Sequence, residues 1–344
     1  MSSFSVTSEN LDDLVDRILI PHTQFERAIA RIEQCLRVMQ RCADPVGLAI
    51  VGESRTGKSR TLEHFESRHP PFRTADGRKV PFLRVKVPSK PTVKGLAELL
   101  LYHLGDPAFD KGTEIAKTLR LVILLEQAGT VILALDEFQH FYDKTTRKVQ
   151  HHVADWLKVL VDDAKLGLIV TGLPRCLSVI EQNEQLAGRF MTPIHLPRFD
   201  WTNEDDREEF SGILMGMGES LSVFKWPQLD SPEIVFRFYC ATGGLIGYLT
   251  KLLKQVTWNA LDADNHSIGL PELSAAHHEA LIKNDPALQP RFDPFQRDFS
   301  CEMTEEIIHQ VRTIGTVQQE PPSQREPSGR TRKPKASEVL SGRI

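Results

Sequence analysis

The chain has 344 residues, 40% of them hydrophobic and 26% charged, with a formal net charge of −4. That length and composition supply apolar surface for one large domain or two ordinary ones, and exclude a low-complexity or collagen-like chain. The mild negative balance excludes a protein that coats nucleic acid over its whole surface, but not one with a local basic patch.

Five scattered cysteines with no C-x-x-C pair suggest neither a zinc site nor a disulfide framework. The polar start M-S-S-F-S-V-T-S-E-N lacks a signal-peptide pattern, and no apolar run nears the ~20 residues of a membrane span. The expectation is a cytoplasmic protein with no membrane partner.

Within 1–45, Phe25, Ile29, Ile32, Leu36 and Met39 recur every three or four residues and predict a helix that Pro45 stops. A buried strand is expected over 47–51, then a glycine-rich loop and a helix over 58–68. A second strand follows at 82–87, then helices over 93–104 and 113–128, with Thr113 as a cap and Gly129 as a stop. Residues 131–135 are apolar throughout, as a strand covered on both faces should be. A helix over 146–162 and strands at 166–170 and 193–196 complete the pattern. Strands alternating with helices predict an α/β domain over 46–200, a parallel sheet flanked by helices. A small all-helical domain is expected over 201–300, and a basic tail at 315–344 whose polar composition predicts disorder.

Residues 52–59 read G-E-S-R-T-G-K-S and fit G-x-x-x-x-G-K-[ST] in full. Gly52 and Gly57 permit backbone conformations that turn N–H groups toward phosphate, and Glu53, Ser54, Arg55 and Thr56 complete the loop. Lys58 offers a point charge to the β- and γ-phosphates, and Ser59 a hydroxyl to Mg²⁺. Arg60 follows on a helix whose positive end faces the same anion. The apolar run 131–135 leads into Asp136 and Glu137. A carboxylate at such a strand end holds Mg²⁺ through its water shell, which falls to Asp136, and Glu137 is placed to activate the attacking water. Together the motifs predict binding of ATP and Mg²⁺ and hydrolysis to ADP and phosphate.

Thr171 closes the strand at 166–170, either to hydrogen-bond the attacking water or γ-phosphate, or as an ordinary turn threonine. Arg189, in Q-L-A-G-R-F, is either a cation that reaches a neighbouring subunit's nucleotide or a surface arginine near a helix end, and residue types alone favour the second. Two basic segments follow strand ends: Lys86, Lys90 and Lys94, and then Lys144, Thr145, Arg147 and Lys148. Lysines without interleaved aromatics suit phosphate contacts over base reading; singly, each is also an ordinary solvated cation.

The stretch L-A-L-D-E-F-Q-H-F at 133–141 resembles the extended Walker B motif of transposon-encoded AAA+ ATPases, the TniB proteins and the related TnsC regulators of Tn7-like elements. I-P-H-T-Q-F at 20–25, V-K-V-P-S-K-P-T at 85–92, L-G-D-P at 104–107, T-G-L-P at 171–174 and Q-L-A-G-R-F at 185–190 are similar too. The resemblance spans roughly residues 15–260. It implies an AAA+ module with a helical lid. It implies assembly on double-stranded DNA as a ring or helical filament, with ATP between subunits. The implied partners are a target selector of the TniQ or TnsD type, a DDE transposase like TnsB, and in some systems a nuclease like TnsA. Carried over by position, Arg189 becomes the arginine finger, Thr171 the sensor, and Ile20, Pro21 and His22 the part near adenine. One departure stands out. The turn before the expected lid helix, G-G-L-I-G-Y at 243–248, holds no second sensor arginine, which leaves Lys251 or Lys254 as substitutes. The phosphate loop and acidic pair alone fit another class equally well: a signalling-type or helicase-loader-like switch acting through protein partners.

Overall fold

The computed structural model describes residues 13–42, 44–282 and 293–315; the first twelve residues and nearly all of the expected basic tail lie outside the described residues. In chain order the strands are β1 Gly47–Val51, β2 Phe72–Thr74, β3 Gly77–Lys79, β4 Phe82–Lys86, β5 Ile132–Asp136, β6 Gly167–Gly172 and β7 Ile194–His195. The helices of the sheet region are α1 Leu14–Arg17, α2 Thr23–Met39, α3 Lys58–Arg68, α4 Val93–Leu104, α5 Glu114–Gln127, α6 His140–Asp143, α7 Arg147–Ala164, α8 Leu177–Ile180 and α9 Glu184–Ala187. Those that follow are α10 Glu204–Ser220, α11 Pro232–Thr242, α12 Ile246–Asp262, α13 Leu270–His277 and α14 Glu305–Thr313.

Five parallel strands form one sheet in the order β4-β5-β6-β1-β7. Side chains alternate across it, because successive residues of a strand point to opposite faces. Leu48, Ile50, Ile132, Ala134 and Ile169 pack with Phe25, Ile29 and Ile32 of α2 and Phe65 of α3. Ala49, Val51, Leu133, Leu135 and Val170 pack on the other face with α4, α5 and α7. The apolar runs read from the sequence are therefore strands covered on both sides. The helix starts are fixed locally: the Thr92 and Thr113 hydroxyls accept from the Gly95 and Ala116 amides. Such caps are each worth about 1 kcal/mol.

Register sets the site. Val51 pairs with Gly172 and Lys86 with Asp136, so the carboxyl ends of β1, β4, β5 and β6 come out together. Loops at that end of an open α/β sheet are where ligands bind. The antiparallel hairpin β2–β3 is an addition to the expected pattern; both strands are short and largely exposed, and D-G at 76–77 turns them, Gly77 lying at φ 119°.

The helical region has its own core, including Phe210, Leu214, Phe238, Leu249, Leu252 and Leu273. It runs beyond the expected limit at 300, because Ile308 and Val311 of α14 are buried in it. Val15 of α1 joins this core too, whereas α2 belongs to the sheet. The described residues before 45 thus do not form one unit: the stretch from Ile18 to His22 crosses between the two cores.

Candidate nucleotide site

A cavity of about 770 Å³ opens where β1 meets α3, within the range usual for small-molecule sites. Its polar side is lined by Arg55, Lys58, Ser59, Arg60, Glu137 and Gln139, with Ser54, Thr56 and Gly57 beside them. Its apolar side is lined by Ile18, Leu19, Ile20, Phe25, Ile213 and Met217, drawn from the crossing segment, α2 and α10. Polar groups at one end and an apolar slot at the other match the two ends of a nucleoside phosphate.

The loop's two glycines answer different demands. Gly57 caps α3 in the left-handed region at φ 93°, which suits a residue without Cβ. Gly52 instead faces a close approach: a Cβ there would sit 2.2 Å from the Leu196 carbonyl oxygen. Its own amide donates to Gly172 O at 3.2 Å. Lys58 turns its ammonium onto the Glu53 carbonyl, and Thr56 donates to the same oxygen at 3.0 Å. Burial pushes the Lys58 ammonium below its ordinary range, against the attraction of Glu137 and Asp136.

At the end of β5, Asp136 is 3% exposed and its Oδ1 accepts from the Thr171 hydroxyl at 2.5 Å and the Glu137 amide at 2.8 Å. Glu137 lies at φ 58°, unusual for a side chain of this size. Its Oε2 accepts from the Gln139 amide at 2.5 Å, and Gln139 Oε1 accepts from the Leu173 amide at 3.2 Å. Among the described residues, the Lys58 ammonium and the Glu137 carboxylate thus line one cavity, whereas Asp136, next to Glu137 in the chain, is buried and lies outside the lining. The donor set fits a triphosphate with its magnesium: backbone N–H groups, an ammonium, the Ser59 hydroxyl and the Asp136 carboxylate.

Several expected residues have different placements. Thr171 is fully buried and is spent on Asp136, so it steadies that carboxylate and does not face the open cavity. Gly52 and Glu53 do not line the cavity; the first lies under Leu196 and the second turns to Arg198. Ile20 and His22 line it, but Pro21 between them is exposed and lies outside the lining. His22 is pressed between Phe25 and Phe199, and burial holds its imidazole below the ordinary value. Neither candidate substitute for a second sensor arginine lines the cavity. Lys254 pairs with Asp16 and lies over Trp258, and Lys251 is exposed. At that position the cavity meets Ile246, Gly247 and Thr250.

Arg189 lies at the far end of the sheet. Its carbonyl accepts from the Gly47 amide at 2.8 Å, at the start of β1, whereas the phosphate loop follows the end of β1. The strand between puts Arg189 on the order of 15 Å from its own loop. Its guanidinium is 2.6 Å from Asp162 of α7.

The two basic segments are brought together, because β4 and β5 are neighbours. The Val87 amide donates to Asp136 O at 2.9 Å, and His140 Nδ1 lies 2.9 Å from Val87 O. Lys86, Lys90, Lys94, Lys144, Arg147 and Lys148 are all exposed, and among the described residues no carboxylate pairs with them. Thr145 differs: it is half-buried, and its hydroxyl is committed to the Phe141 carbonyl.

Two residues that sequence reasoning did not assign prove central. Gln139 sits inside the D-E-F-Q-H string, and its spacing from Glu137 was the available signal. Arg198 follows β7 in a plain P-R-F-D stretch, which carries no signal of its partner in the phosphate loop.

Comparison with known proteins places this geometry. The family model described as bacterial TniB protein matches residues 11–201, more than half of the chain. The chain belongs to the TniB family. No curated protein sequence matches it significantly. The solved structures it resembles include the Cdc6p of Pyrobaculum aerophilum, at TM-score 0.58 and 14% identity, covering 78% of this chain and 71% of that one. They also include the Orc1 protein of Aeropyrum pernix in complex with DNA, at TM-score 0.56 and 16% identity, covering 78% and 69%. The Orc2 protein of the same organism, in ADPNP–ADP complexes, gives TM-score 0.56 and 16% identity over 78% and 71%. At such identities the likeness concerns the fold, which is that of the AAA+ P-loop ATPases. Family, fold and phosphate loop together make this TniB protein a P-loop ATPase. Among the described residues no helix is long and apolar enough to cross a membrane.

Proposed function

We propose that this TniB-family ATPase regulates DNA transposition by assembling on double-stranded DNA in its ATP-bound form and linking a TniQ- or TnsD-type target selector to a DDE transposase. The observation that carries the reading is the pairing of two features at one end of the sheet: a phosphate cradle, and beside it six exposed cations, unpaired among the described residues, that follow adjacent strand ends. Such cations suit duplex phosphates without base preference, so binding should weaken steeply with salt.

In this reading Lys58 and the loop amides bind the phosphates, and Ser59 and Asp136 hold Mg²⁺. Magnesium, when bound, neutralises charge on the phosphoryl oxygens. Glu137 takes the proton from the attacking water, and Gln139 sets the direction of its carboxylate. Thr171 keeps Asp136 in a fixed orientation. Arg189, too far from its own cradle, serves a neighbouring subunit, and leaves Asp162 to do so. Assembly in a ring or filament follows, since each active site then needs the next copy's arginine.

The test is DNA retention on filters at low salt, with and without a non-hydrolysable ATP analogue. Nucleotide-dependent retention of unrelated duplexes is expected, with Lys58→Ala losing about 100-fold or more in nucleotide affinity and the retention with it. A chain that ignores DNA in both conditions sinks the proposal.

A further inference from the structure

Between the sheet and the helical lid, one guanidinium ties its connector to two other parts of the molecule, the phosphate loop and the lid. Arg198 stands just after β7, in the connector leading to α10, and its side chain is 10% exposed. Its Nε donates to Glu53 Oε1 at 3.0 Å, its Nη2 pairs with Glu53 Oε2, and its Nη1 donates to Gly243 O at 3.2 Å. Glu53 is the second residue of the phosphate loop, and Gly243 ends lid helix α11. The bond to Glu53 is a fork-to-carboxylate pair, the strong and directional kind.

The same junction is tied by backbone. The Gly247 amide, in the first turn of α12, donates to Arg55 O at 2.9 Å, and a Cβ on Gly247 would fall 2.7 Å from the Arg55 Cβ. The Phe199 amide donates to Gly244 O at 3.0 Å. Two variable positions of the loop, Glu53 and Arg55, thus hold the lid. Meanwhile the Glu53 carbonyl takes the Lys58 ammonium that phosphate would otherwise take. A phosphate drawing Lys58 away must free that carbonyl, and the side chain of the same residue is held by Arg198.

We propose that Arg198 is a positioning residue that couples nucleotide occupancy to the lid through Glu53, filling in cis the part that the arginine-free turn 243–248 leaves open. It does so without touching phosphate: it neutralises the Glu53 carboxylate beside the anion site and carries the loop's displacement to Gly243. The inference rests on the cavity being a nucleotide site.

The experiment measures affinity for an ATP analogue together with hydrogen exchange over 246–250, on the full chain with magnesium. In the parent, nucleotide slows exchange in that segment. Arg198→Ala is expected to lose about tenfold in affinity, since Glu53 is left unneutralised, and to lose the exchange response. Adding Glu53→Ala to it should restore affinity to within about threefold of the parent while the exchange response stays absent. A phosphate-touching arginine would show no such rescue. Where Arg198→Ala fails to fold by circular dichroism, Arg198→Lys is read instead: charge kept and fork lost, it should lower affinity less and still abolish the response. A parent-like exchange response in whichever of these folds, or no rescue by Glu53→Ala, overturns the coupling. Equal affinity of the parent and Lys58→Ala for nucleotide would instead strike the reading of the cavity itself.

Discussion

The phosphate cradle and the basic rim lie side by side at one end of the sheet, yet they are built on opposite terms. In the cradle several polar side chains are committed to fixed partners: Thr171 to Asp136, Gln139 to Glu137, Lys58 to the Glu53 carbonyl. In the rim the six cations are exposed and unpaired among the described residues. The first arrangement holds reacting groups within tenths of an ångström, which catalysis demands. The second leaves long side chains free to follow a phosphate backbone, which demands only charge and reach. Single changes in the cradle should therefore be severe and single changes in the rim mild.

The largest expected effect lies at neither place but at the far end of β1. Arg189→Ala should lower turnover by about 10³–10⁵ with nucleotide binding unchanged. Mixing these subunits with Glu137→Gln subunits, which still bind nucleotide and assemble, should recover ATP hydrolysis, because one supplies the cradle with its base and the other the arginine. No recovery would confine Arg189 to its structural pair with Asp162. Within the cradle, Glu137→Gln should reduce hydrolysis by about 10²–10⁴ and leave DNA-bound assemblies long-lived. Normal phosphate release by that variant would move the base elsewhere. In the rim, replacing Lys90, Lys94, Lys144 and Lys148 together by Ala should flatten the salt dependence of DNA binding by up to about four units of slope. Each alone should shift it by about one, and a single lysine that abolished binding would break the contrast between the two regions.

The smallest effect serves as a control outside both. Burial opposes ionisation of Asp293, yet the His277 imidazole 3.7 Å away and hydrogen bonds from the Ser274 hydroxyl and the Phe295 amide prevail and draw its carboxyl down to about 2. A carboxyl held this low stabilises the lid fully above its unfolded value near pH 4, and the gain is lost as pH falls toward about 2. Asp293→Asn should cost on the order of 1 kcal/mol at neutral pH, screening allowed for, and remove that acid-side loss. Thermal melts from pH 7 to pH 2 measure it, with ATP and DNA binding unaltered.

Much of this was legible beforehand, for identifiable reasons. Strands buried on both faces write themselves as uninterrupted apolar runs, so β1, β5 and β6 were readable at Gly47–Val51, Ile132–Asp136 and Gly167–Gly172 to within a residue or two. The G-x-x-x-x-G-K-S loop and the Asp136–Glu137 pair were readable because phosphate and magnesium chemistry fixes residue type and spacing at once. The hairpin β2–β3 was missed, since its largely exposed strands carry no apolar pattern. So was the reach of the lid to α14, which joins its core through only Ile308, Val311 and a few neighbours.

The sequence by itself determined the class of chemistry, because local order of residue types encodes the strand, the loop and the helix that bind phosphate. Only the tertiary structure decided which side chains serve one another. Thr171 meets Asp136 across 35 positions, and Arg198 meets Glu53 across 145. Such pairs depend on strand order and on where a connector crosses the lid, and neither leaves a periodicity or a spacing in the chain.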